Sequence, residues 1–147
     1  MKIEINTEYK QINSLKRIVK NLNNEISNLI IEKNNIIKII DTLNIKLKNL
    51  IKEIEEEKTL SKQILNFEFG KFFELSKQKM NKIIDEKDLN KSKLELLIED
   101  LKTKYDEQKK YENLLEKSKD RIDYANNLTE QKHLDEISQH RHIQNKF

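Results

Sequence analysis

The stretch INSLKRIVKNLNNEISNLIIEKNNIIKIIDTLNIKLKNLIKEI, residues 12–54, decides the fold. Alternate steps of three and four residues from Ile12 meet Leu15, Val19, Leu22, Ile26 and Leu29. They then meet Lys33, Ile36, Ile40, Leu43, Leu47, Leu50 and Ile54, and only Lys33 breaks the apolar run. A repeat of about 3.5 residues, with β-branched side chains mostly at one position and Leu mostly at the other, is the pattern of a coiled-coil seam. Extended over residues 5 to 57, it predicts a helix roughly 80 Å long at about 1.5 Å per residue. Such a stripe has to be buried against another helix.

The second half of the chain supplies one. Phe69, Phe73, Met80, Ile83, Leu94, Leu97, Leu101, Tyr111, Leu115, Ile122 and Ala125 keep the same rhythm, interrupted by Ser76, Lys87, Asn90, Lys104, Gln108 and Ser118. An antiparallel pairing of residues whose numbers add to 123 sets Ile54 beside Phe69, Leu43 beside Met80 and Ile26 beside Leu97. It also sets Lys33 beside Asn90, which then reads as a polar layer that fixes the register. A parallel dimer is the alternative use of the same heptads.

The expected fold is therefore all-α: a long antiparallel two-helix coiled coil, a hairpin with an overhanging C-terminal helical tail, forming a single domain over residues 1–147. Its first helix covers about 5–57, its turn about 58–62 and its second helix about 63–140. Thr59 or Ser61 is available to cap the second helix. In this register Ile5 faces Ser118, and the chain from about Asp120 onward has no partner.

The one glycine of the chain sits in NFEFGKFF, residues 66–73. With the turn at 58–62, this segment begins the returning helix. Phe69 and Phe73 fall on the seam, Phe67 lies off it, and Phe72 is expected to face outward. Gly70 weakens the helix by about 1 kcal/mol relative to Ala.

Composition excludes most chemistry. There is no cysteine for disulfides, thiol catalysis or thiolate metal sites. One glycine cannot build a phosphate-cradling loop. The 29 basic and 26 acidic residues are interleaved along the chain, which reads as a solvated helix surface and not as a nucleic-acid footprint. No window reaches the ~18 apolar residues of a membrane span, so direct membrane insertion is not expected. His133, Glu136 and His140 share a helical face, but HLDEISQH has neither of the zinc-hydrolase spacings. A two-helix rod has no pocket for a hydrolytic His133, His140 or His142. The reading is non-enzymatic, with no catalytic residues, no metal and no cofactor.

The C-terminal run LTEQKHLDEISQHR, with Gln131-Lys132, Asp135-Glu136 and Arg141, resembles the C-terminal signature of the FliJ family of flagellar type III export proteins. The layout agrees along the chain: two long helices, a polar tip and an aromatic cluster soon after it. The resemblance implies a stalk-like hairpin, a monomer when free, that stands in the hexameric ring of the flagellar export ATPase. It further implies contact with the export gate protein FlhA, assistance to export chaperones, and a cytoplasmic place at the inner face of the inner membrane. Phe72 falls on the aromatic position that the family uses at the gate. The position one turn later, usually leucine, is Ser76 here, with Leu75 beside it. Gln131, Lys132, Asp135 and Glu136 match the signature in the region the family directs toward the ATPase. The alternative is a structural coiled-coil spacer or tether.

Overall fold

The structure, a computed structural model, describes residues 2–63 and 69–146. They form two helices, α1 (Lys2–Gln63) and α2 (Phe69–Lys146), of 62 and 78 residues. Such lengths follow from a chain without proline and rich in straight-chain residues, which lose little rotamer freedom in a helix. The two helices pack against each other as an antiparallel hairpin, and the protein is all-α.

Two compact units divide it, each drawn from both helices: Met1–Glu25 with Lys104–Phe147, and Ile26–Thr103. In the Ile26–Thr103 unit, Ile26, Ile36, Leu43 and Leu50 of α1 are buried, as are Leu97 and Leu101 of α2. In the other unit, Ile12 and Leu22 of α1 and Ile122 of α2 are buried. Every α1 residue on the expected seam from Ile12 to Ile54 is buried or half-buried, Lys33 included. The seam of α2 is buried or half-buried from Ser76 to Ala125 without a gap. Its polar interruptions therefore stay on the seam, and two of them, Ser76 at 3% exposure and Ser118 at 4%, are among its most enclosed side chains. The heptad steps alone select which face is covered; the chemistry of each residue then sets how well it fills its layer.

The register differs from the expected one. Numbers adding to 123 would set Glu25 beside Ile98, Asn23 beside Asp100 and Glu8 beside Leu115. Glu25 instead meets Lys104, Asn23 meets Gln108 and Glu8 meets Arg121, each about one heptad further along α2. In the Ile26–Thr103 unit, a groove lined by Lys46 and Glu53 from α1 and by Lys79 and Glu86 from α2 agrees with the same shift. The physical reason is the turn. Residues 58–62 lie inside α1, where Thr59 Oγ1 donates to Glu55 O at 3.0 Å and Ser61 Oγ to Lys58 O at 2.7 Å. Their hydroxyls are thus satisfied by their own helix and cap nothing. The expectations for Phe67 and for the side chain of Ile5 lie outside the described residues.

The exposed tail begins later than the expected Asp120. Arg121 pairs with Glu8 and Ile122 is buried, while Ala125 is the last half-buried residue of α2. From there every described side chain, residues 126–143, is exposed. Among the described residues no helix is long and apolar enough to cross a membrane.

Candidate functional site

At the start of α2, three phenylalanines share one turn because the spacings i,i+3 and i,i+4 place side chains on the same helix surface. The Phe69 ring lies 6.4 Å from that of Phe72 and 5.7 Å from that of Phe73, both tilted. Phe69 and Phe72 are half-buried, whereas Phe73 is 42% exposed. The expected division between an inward Phe73 and an outward Phe72 is therefore reversed. With the register shifted by a heptad, the α1 residue level with Phe73 is Glu57 and no longer Leu50, and Phe73 borders an open groove with Ile51 and Ile54 instead of being enclosed. Ser76, the other residue expected at the gate contact, is enclosed in the hairpin and presents no surface.

Phe73 borders an open groove of about 470 Å³ near the end of the hairpin. Ile51, Ile54, Glu55 and Lys58 line it from α1, and Phe69, Phe73, Lys77 and Met80 from α2. Its lining is mostly apolar, with Glu55, Lys58 and Lys77 as the charged members among the described residues.

Lys33 and Asn90 do not oppose each other. In the observed register they stand about one heptad apart, roughly 10 Å along the axis. Both are half-buried, and Asn90 Nδ2 donates to Glu86 O of its own helix at 2.8 Å. Lys33 reaches the level of Leu97, where its methylene stem can cover apolar surface while the ammonium reaches water.

Three polar contacts across the hairpin lie in the unit built from Met1–Glu25 and Lys104–Phe147. Lys104 Nζ sits 2.9 Å from Glu25 Oε2 and 3.8 Å from Glu107 Oε2. Gln108 Nε2 donates to Asn23 Oδ1, and Arg121 Nη1 to Glu8 Oε1 at 3.3 Å. Glu8 Oε2 is buried and has no hydrogen-bond partner among the described residues. Lys104 and Gln108 were visible in the sequence as breaks in the apolar rhythm. Their partners Glu25 and Asn23 flank the α1 seam, and no break marks them.

Gln131, Lys132, Asp135 and Glu136 are all exposed on α2. Gln131 with Asp135, and Lys132 with Glu136, are i,i+4 pairs, so the four make one continuous patch. His133, His140 and His142 are exposed beside them. Among the described residues no three His, Asp or Glu side chains sit as a metal ion would require. No family model, no curated protein and no solved structure matches the chain.

Proposed function

We propose that this protein is a non-enzymatic component of the flagellar type III export apparatus. It acts as a stalk in the ring of the export ATPase, contacts the export gate FlhA through the tip of the hairpin, and assists export chaperones from the cytoplasmic face of the inner membrane. One observation carries the reading. The run that resembles the FliJ signature lies on an α-helical stretch whose described side chains, residues 126–143, are all exposed. Gln131, Lys132, Asp135 and Glu136 are thereby available together to a partner and are not consumed by the hairpin's own packing.

The test is a titration of the export ATPase from the same genome with the purified chain, reading ATP turnover. Stimulation by the parent, lost when Gln131, Lys132, Asp135 and Glu136 are all replaced by Ala, is the expected result. A parent that neither binds nor stimulates the ATPase overturns the reading. A structural spacer or tether is the second reading. It is favoured by the heptad repeat of residues 12–54, which serves a spacer as well as a stalk.

A further inference from the structure

We infer that the hairpin has two registers, of which the structure shows one, and that a few polar pairs hold it there. In the second register α2 lies one heptad, about 10 Å, nearer the start of α1. The inference does not rest on the export reading.

The seam itself permits the slide. Moving α2 by a heptad returns each of its seam positions to a seam position of α1, so the covered face is unchanged. Only the partners change. The pairs Glu25 with Lys104, Asn23 with Gln108 and Glu8 with Arg121 set level those residues whose numbers add to about 130. At that setting Leu43 is level with Lys87, Ile40 with Asn90 and Leu97 with Lys33, so apolar side chains stand against polar ones. One heptad along, Leu43 reaches Met80, Ile40 reaches Ile83 and Lys33 reaches Asn90, so like stands against like. Phe73 exchanges Glu57 for Leu50 in the same movement. The slide has its own costs: Leu47 exchanges Ile83 for Ser76, Ile36 exchanges Leu94 for Lys87, and Ile122 leaves the layer of Glu8. The apolar layers therefore favour neither setting strongly.

The packing of the Ile26–Thr103 unit is in keeping with this. Its α2 seam residues from Met80 to Leu94 are all half-buried and none is enclosed, and Phe73 is 42% exposed. A core filled to native density resists movement, whereas half-open layers leave room for it. The lock lies in the other unit. Lys104 Nζ is 2.9 Å from Glu25 Oε2, and Arg121 Nη1 is 3.3 Å from Glu8 Oε1. The Glu25 and Arg121 side chains are 53% and 60% exposed, so solvent and salt weaken both pairs. Such a lock selects one register without forbidding the other. Because α2 is one helix from Phe69 to Lys146, covering Phe73 and uncovering Ile122 are parts of one movement. A partner that prefers one register thereby biases the exposure of both residues.

The chain has neither tryptophan nor cysteine, so Phe73→Trp supplies a single emission reporter and paired cysteines supply locks. In the full chain carrying Phe73→Trp, Glu8→Cys with Arg121→Cys joins positions that are adjacent in the observed register. Glu8→Cys with Leu114→Cys joins the positions that the slide brings to the same geometry. Both pairs should close within one chain at low protein concentration, with helix content retained by circular dichroism. The second lock should shift the emission to shorter wavelength and reduce quenching by acrylamide, as packing against Leu50 requires, and the first should not. Without cysteines, Glu25→Lys combined with Arg121→Glu sets like charges against Lys104 and Glu8, and should move the emission in the same direction.

A second lock that closes only between chains, that costs helix content, or that leaves the emission where the first lock has it overturns the second register. Unchanged emission in the charge-reversed chain overturns the polar pairs as its lock. A shift to shorter wavelength that sedimentation shows to accompany a dimer assigns the covering of Phe73 to a second copy and overturns the slide.

Discussion

Glu8 shows how much a single layer can depend on one atom. It stands where the α1 seam would continue one step before Ile12, level with the buried Ile122, and its Oε2 is enclosed with no hydrogen-bond partner among the described residues while Oε1 meets Arg121 at 3.3 Å. An unsatisfied buried acceptor costs about 1–3 kcal/mol, and an exposed ion pair returns only about 0–1 kcal/mol. Glu8→Leu should therefore raise the midpoint of thermal unfolding, because it fills the layer over Ile122 and leaves Arg121 in water. A lower midpoint would show that the Glu8–Arg121 pair is worth more than the desolvation it entails. Burial of this kind was legible at the apolar positions. Ser76 and Ser118 looked like gaps in the seam and proved to be among its most enclosed residues, because the face is chosen by the helix repeat and not by each residue in turn. Phe72 and Phe73 could not be sorted the same way, since their exposure depends on what α1 places opposite them.

That opposite residue is a property of the element pair, and here the periodicity has an inherent ambiguity. Sliding one helix by a heptad returns apolar rows to apolar rows, so the pattern of residues 12–54 identifies the covered face but leaves both the sense of the pairing and the slide open. The tie is broken by Glu25 with Lys104, Asn23 with Gln108 and Glu8 with Arg121, and by a first helix that runs through Thr59 and Ser61 to Gln63. Spin labels at Lys46 and Glu86, which line one groove, should give a shorter distance than labels at Lys46 and Leu75, which the observed register separates by about two further turns. The register based on 123 requires the opposite order. The same shift changes what Lys33 does. Level with Leu97 and not with Asn90, it interrupts an apolar layer, so Lys33→Leu should stabilise the hairpin by about 1–2 kcal/mol without altering its oligomeric state. A Lys33→Leu protein that forms new oligomers, as removal of a register-fixing polar group does in coiled coils, would restore the paired-layer view.

At the scale of the whole molecule, physics reaches the hairpin and stops short of its work. Nothing in the apolar rhythm, the interleaved charge or the absence of cysteine points to an ATPase or a gate; that reading comes from the resemblance of the run LTEQKHLDEISQHR, with the layout of the chain in agreement. What the structure adds is a separation of duties that can be cut. The covered seam of α2 ends at Ala125, and residues 126–143 make no buried contribution, so the end of α2 carries partner contacts or carries little. A chain ending at Ala125 keeps Ile122 buried, the Arg121–Glu8 pair and every other enclosed side chain. Its thermal midpoint should stay within about 2 °C of the parent, since stability follows the buried contacts that remain. On the proposed export function, stimulation of the export ATPase should nevertheless disappear. Full stimulation by the shortened chain would remove the tail from the ATPase contact. A large fall in the midpoint would mean that residues after Ala125 pack against something their exposure does not reveal, such as a second copy, and the sedimentation of parent and truncated chain would then separate at the same concentration.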